Sequence, residues 1–148
     1  MNSLRRNTLK FAAGMAATLL VPLRALAAWN KEAFGAKTPA DALKSLGVPN
    51  AAPSGELHIE APQIAENGAV VPIEISSAIP GTTALLVVVD KNPFPLVARF
   101  DFKEGALPYV KVNLKMGETS DVRVLAEADG KHYVATKEVK VTIGGCGG

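Results

Sequence analysis

The sequence predicts an all-β protein: an immunoglobulin-like antiparallel β-sandwich, preceded by a short N-terminal helix and ending in a flexible Gly-Gly-Cys-Gly-Gly arm. Three observations carry that expectation. About seven short apolar runs follow one another after residue 56, most of them alternating apolar and polar residues. Turn residues separate them roughly every ten positions. No stretch after Gly47 has helical spacing. A closed barrel is the main competitor for the same pattern.

The first 27 residues read as an address and not as part of the fold. Leu4-Arg5-Arg6-Asn7-Thr8-Leu9-Lys10 holds a twin arginine, an apolar run follows from Phe11 to Leu23, and Ala25-Leu26-Ala27 offers small residues for cleavage. This resembles a twin-arginine export signal, although Thr8 stands where that pattern favours phenylalanine. Arg24, next to the cleavage site, suits the same route. A membrane anchor fits less well. The run holds Gly14, Thr18 and Pro22, and it falls short of the ~20 strongly apolar residues of a span. Cleaved export to the periplasm is the expectation, with no membrane attachment afterwards.

Charge and cysteine content narrow the classes. The chain has 16 basic and 14 acidic residues. Arg5, Arg6, Lys10 and Arg24 leave with residues 1–27, so the remainder has 12 basic and 14 acidic residues, a formal balance of −2. The basic character belongs to the address, and no basic patch is left to suggest nucleic acid. A single cysteine excludes an internal disulfide.

Residues 28–55 read as a helical segment and linker. Thr38-Pro39-Ala40-Asp41 is a helix start, with Thr38 as N-cap and Pro39 at the first position, and Gly47 is a stop. The expected helix runs from Pro39 to Leu46, with a further turn around Lys31–Phe34. Asn50 to Gly55 is a linker. Residues 56–143 are the sandwich. Leu57, Ile59 and Ala61 mark a half-buried strand, and Ile64 to Gly68 a turn. Val71, Ile73 and Ile75 mark a second strand, for which Pro72 implies a sheet edge or an irregular beginning. Ala84 to Val89 is continuously apolar, as in a strand buried on both faces. Leu96–Phe102, Val110–Leu114, Val122–Ala126 and Tyr133–Ile143 complete the series, with Asp129-Gly130 as a tight hairpin turn.

Few residues offer chemistry. His58 and His132 are the only histidines, and each reads as a surface histidine. There is no Cys-x-x-Cys, no nucleophile elbow and no phosphate loop. No cofactor or metal site and no catalytic residue is expected. Cys146 remains, with Gly144, Gly145, Gly147 and Gly148 around it. Glycines tether a thiol with little bulk and many backbone angles. Drawn out at roughly 3.3 Å per residue, the stretch from Ile143 places Cys146 about 10 Å away. The terminal carboxylate two residues on disfavours the thiolate, so activation is expected from a partner's site. A disordered terminus with an incidental cysteine, or an intermolecular disulfide, is the plainer account.

Ile143-Gly144-Gly145-Cys146-Gly147-Gly148 resembles the carrier arm of the SoxY family, the sulfur carriers of the periplasmic thiosulfate-oxidising Sox system. The export signal, early helix and strand series are similar too, so the resemblance spans the precursor. It implies that Cys146 is the covalent attachment point for thiosulfate-derived sulfur. It also implies that the protein is a carrier and not an enzyme. A SoxZ-like β-sandwich subunit would be its partner in a SoxYZ complex. A cytochrome, a sulfate-releasing hydrolase and sulfane-oxidising enzymes would act on the arm. The rival readings are an adaptor that forms a Cys146-linked dimer, and a thiol-dependent sulfurtransferase.

Overall fold

A computed structural model describes residues 29–48 and 50–143. Two short helices come first: α1, Lys31–Gly35, and α2, Pro39–Ser45. Thr38 caps α2 as its sequence predicts, its Oγ1 accepting the Asp41 N–H at 3.1 Å and donating to Asp41 Oδ2 at 2.7 Å. Asn30 caps α1 through Oδ1 and donates through Nδ2 to the Ser45 carbonyl, which ties the two helices together.

Nine strands follow: β1 Ala52–Pro53, β2 Leu57–Glu60, β3 Ile64–Ala65, β4 Val71–Ser77, β5 Thr82–Val89, β6 Leu96–Asp101, β7 Tyr109–Leu114, β8 Ser120–Ala128 and β9 Lys131–Val141. The larger sheet has the order β1-β9-β8-β5-β6, with β3 also paired to β9. The smaller sheet is β2-β4-β7. The two sheets face each other over a core of Leu57, Val71, Ile73, Ile75, Leu85, Val87, Val89, Val122, Val124 and Val139. Alternation puts these residues on the inner faces.

The continuous apolar run of β5 is explained by a third layer. Leu85, Val87 and Val89 point between the sheets, while Leu86 and Val88 point outward. The outward pair is covered by Ala33 and Ala42 of the two helices and by Val48, together with Leu96 and Leu125. Both faces of β5 are therefore dry, as the sequence predicts. The Asp129-Gly130 turn also forms as expected, with φ of 49° and 71°, the two positive angles of a type I′ hairpin.

Three expectations need correction. Pro72 does not mark an edge, because β4 is the middle strand of its sheet. The Ser77 N–H bonds Pro108 on the β7 side, so odd-numbered residues of β4 bond β7 and even-numbered ones face β2. β2 ends at Glu60, opposite Glu74, and asks nothing of Pro72. Second, the linker and the turn each contain a short strand. Ala52–Pro53 and Ile64–Ala65 both pair with β9, and in parallel. Two residues are too few to show a period. Third, β9 stops at Val141, so Thr142 and Ile143 lie past its end.

Candidate functional site

Cys146 and the glycines at 144, 145, 147 and 148 lie outside the described residues. What the structure supplies is the root from which they depart. β9 is the longest strand and is held on both sides. It pairs with β8 from Lys131 to Val139. On its other side it pairs with β1 at Tyr133 and Val134, and with β3 at Lys140 and Val141.

The clamp continues past the strand. Thr119 Oγ1 accepts the Val141 N–H at 2.9 Å. The Thr142 N–H donates to the Ala65 carbonyl at 3.1 Å, and Thr142 Oγ1 to the Glu66 carbonyl at 3.0 Å. The Gly68 N–H then donates to the Ile143 carbonyl at 2.8 Å, while the Gly68 carbonyl accepts from Met116 N–H at 2.7 Å. Asn67 shapes this loop, its Oδ1 accepting the Ala69 N–H at 2.8 Å in an Asx turn. The main chain is thus fixed up to the Ile143 carbonyl. Sequence reading assigns 64–68 only as a turn. That the turn closes on the end of β9 depends on pairing between residues far apart in the chain.

Three groups of ionisable side chains are closed by mutual hydrogen bonds. On the outer face of the smaller sheet, Glu74 accepts from Lys111 Nζ and, at 2.6 Å, from the Tyr109 hydroxyl. The Lys111 bond, with that of Tyr109, holds the Glu74 carboxyl below the usual carboxylate range. The same contacts raise Tyr109 and Lys111 above their ordinary values. Arg99 bonds Asp101 and Glu127, and Arg123 bonds Asp90 at 2.7 Å. Each charge meets its opposite, which leaves no unpaired acid or base in these clusters for proton transfer.

The two histidines lie in different sheets. His58 is exposed on β2 of one sheet, and His132 lies opposite Glu127 in the other. Among the described residues no three His, Cys, Asp or Glu side chains are placed to hold a metal. A cleft of ≈ 460 Å³ near the β4–β5 turn is lined by Ser77, Thr82, Phe102 and Lys103, among others. A second, of ≈ 580 Å³, lies under α2 beside Leu43, Lys44 and Arg123. Neither holds a histidine, cysteine or catalytic carboxylate pair.

Comparison with known proteins agrees with this architecture. No curated protein matches the chain. A chain from a structure concerning T cell activation by the superantigen toxic shock syndrome toxin-1 matches with 15% identity and a TM-score of 0.39, covering 57% of this chain and 98% of that one. That likeness is too slight to use. The sulfur carrier protein SoxY from Chlorobium limicola f thiosulfatophilum has a TM-score of 0.62 and 37% identity, covering 70% of this chain and 96% of that one. The family model described as sulfur oxidation protein SoxY matches residues 32–146, and the chain belongs to the SoxY family.

Proposed function

We propose that this chain is the sulfur carrier of a thiosulfate-oxidising system, with Cys146 as its attachment point. The observation that carries the reading is membership of the SoxY family over residues 32–146, in a chain whose one thiol, Cys146, stands between pairs of glycines. The clamped root supports it, because a tether transfers cargo in a defined direction only if its base is fixed.

Loading is an oxidation. The Cys146 thiol and thiosulfate join through a new S–S bond, giving Cys–S–S–SO₃⁻. One proton and two electrons are released, the electrons to a cytochrome. Hydrolysis by a partner then splits the terminal sulfur–sulfur bond with one water. It releases hydrogen sulfate and leaves the persulfide Cys–S–SH. Sulfane-oxidising partners return the thiol. The chain supplies the nucleophile and the tether, and no catalytic residue. An ordinary cysteine thiol is mostly protonated at neutral pH, so on this reading it becomes reactive inside a partner's site. A second β-sandwich subunit accompanies it, and export by the twin-arginine route places it in the periplasm.

The test is intact mass spectrometry of protein purified without reductant from cells grown on thiosulfate. Reducible additions of thiosulfonate or sulfur on the C-terminal peptide are expected, and Cys146→Ser should lose them while its unfolding midpoint stays put. A bare thiol, or a Cys146-linked dimer alone, would overturn the proposal.

A further inference from the structure

Asn67-Gly68 is the one Asn-Gly step in the chain, and a step of that kind can modify itself. The main-chain nitrogen of the glycine attacks the side-chain Cγ of the asparagine. The Cγ–Nδ2 bond breaks, ammonia leaves, and a cyclic succinimide remains. Water then opens either ring carbonyl to give aspartate or isoaspartate. The sequence consumes one water and releases one ammonia, with no change of oxidation state. Glycine favours it because no Cβ hinders its nitrogen.

The structure acts on the two reacting groups in opposite senses. Asn67 is exposed, and its Oδ1 accepts the Ala69 N–H at 2.8 Å. That donor polarises Cγ and stabilises the negative charge that develops on Oδ1 when nitrogen adds. The nucleophile, by contrast, is held back. Gly68 is buried, and its N–H, which must lose its proton, donates to the Ile143 carbonyl at 2.8 Å. Deprotonated, the nitrogen would face that oxygen lone pair against lone pair. On its other side the Gly68 carbonyl accepts the Met116 N–H at 2.7 Å. We infer that Asn67-Gly68 is a self-modification site capped by the Ile143 carbonyl, and that it reacts when Ile143 lifts away.

The cap is lightly held. β8 pairs with β9 only as far as Val139. Beyond it, the Lys140 N–H bonds the Gln63 carbonyl, the Val141 N–H bonds Thr119 Oγ1, and Thr142 bonds the Ala65 and Glu66 carbonyls. Thr142 and Ile143 are both exposed, so little apolar burial adds to these bonds, and such ends open locally at low cost. Isoaspartate lengthens the main chain by routing it through Cβ, which draws the Gly68 N–H out of line with Ile143. Conversion therefore unseats the residue that prevented it. The chemistry needs neither Cys146 nor a partner and stands apart from the carrier reading.

The experiment incubates the full mature chain in mildly alkaline buffer. Mass spectrometry follows the peptide holding Asn67, and enzymatic methyl transfer reads isoaspartate. The folded chain should convert far more slowly than the same chain unfolded in urea. Thr142→Pro removes the N–H that bonds Ala65 and the hydroxyl that bonds Glu66, and should speed conversion of the folded chain about twentyfold, as the loss of two hydrogen bonds allows. Thr142→Val removes the hydroxyl alone and should give about fivefold; it decides the matter where the proline variant does not fold. In converted molecules, separated by ion exchange, the Thr142 amide should exchange its hydrogen faster. Equal rates in the folded and unfolded chain would overturn the cap, as would a folded Thr142 variant that converts no faster than the native chain. An unfolded chain that leaves Asn67 intact would overturn the site itself, and unchanged exchange at Thr142 would overturn the unseating.

Discussion

Single residues decide how the ends of elements are made. Thr38 satisfies the Asp41 N–H that α2 leaves open, and Thr38→Ala should cost about 1 kcal/mol in urea unfolding. Gly81 is more constrained. Its φ is +72°, and a Cβ there would lie 2.7 Å from Asp129 Oδ1. Gly81→Ala should therefore destabilise, and by more than the ~1 kcal/mol that the same change gains at a compatible position. Adding Asp129→Gly should recover the part due to the contact and leave the part due to φ, which a double-mutant cycle would separate. Equal costs in both backgrounds would refute the contact. Thr38 and Asp129-Gly130 are legible from sequence because capping and hairpin chemistry are local. The approach of Gly81 to Asp129 is not, since 48 positions separate them.

Among elements, the outer face of the smaller sheet carries a pH-sensitive cluster. The Glu74 carboxyl is lowered by Lys111 and Tyr109. Its contribution to stability is present above the ordinary carboxylate pKa and is lost as pH falls through the lowered value. Tyr109 and Lys111 are raised by Glu74, so their contribution holds below their ordinary values and is lost as pH rises through the raised ones. Glu74→Gln should flatten the acid and the alkaline limbs of the stability profile together, and more so at low salt, because these groups face water. A profile unchanged on both limbs would deny the cluster any role. The same scale shows where periodicity fails as a guide. It places β5, β7 and β8 well, since each presents enough residues to show a pattern. It misses β1 and β3, whose two residues acquire strand character only from β9.

For the whole molecule, three layers stand behind one short arm. Leu85 is fully buried between the sheets, and Leu85→Ala should cost about 2–5 kcal/mol in a single cooperative transition. Among molecules still folded, the proposed sulfur loading should be unaffected. Deleting Gly144 and Gly145 tests the opposite end. Turnover should vanish while the unfolding midpoint holds, and unchanged turnover would remove the need for reach. Folding stability and carrying are thus expected to separate along the chain.

Local order was enough to determine much of this protein. The sandwich class, the capped helix, the doubly buried strand, the tight hairpin and the lone cysteine among glycines are all properties of residues near one another in sequence. Membership of the family could be read from the final six residues. Only the tertiary structure decided that two stray dipeptides run parallel to β9, that Pro72 sits mid-sheet where a neighbour has stopped, and that residues 65–68 fasten Thr142 and Ile143. Each of these depends on backbone groups distant in sequence meeting in space. A main-chain N–H or C=O carries no side-chain signature of the partner it will find.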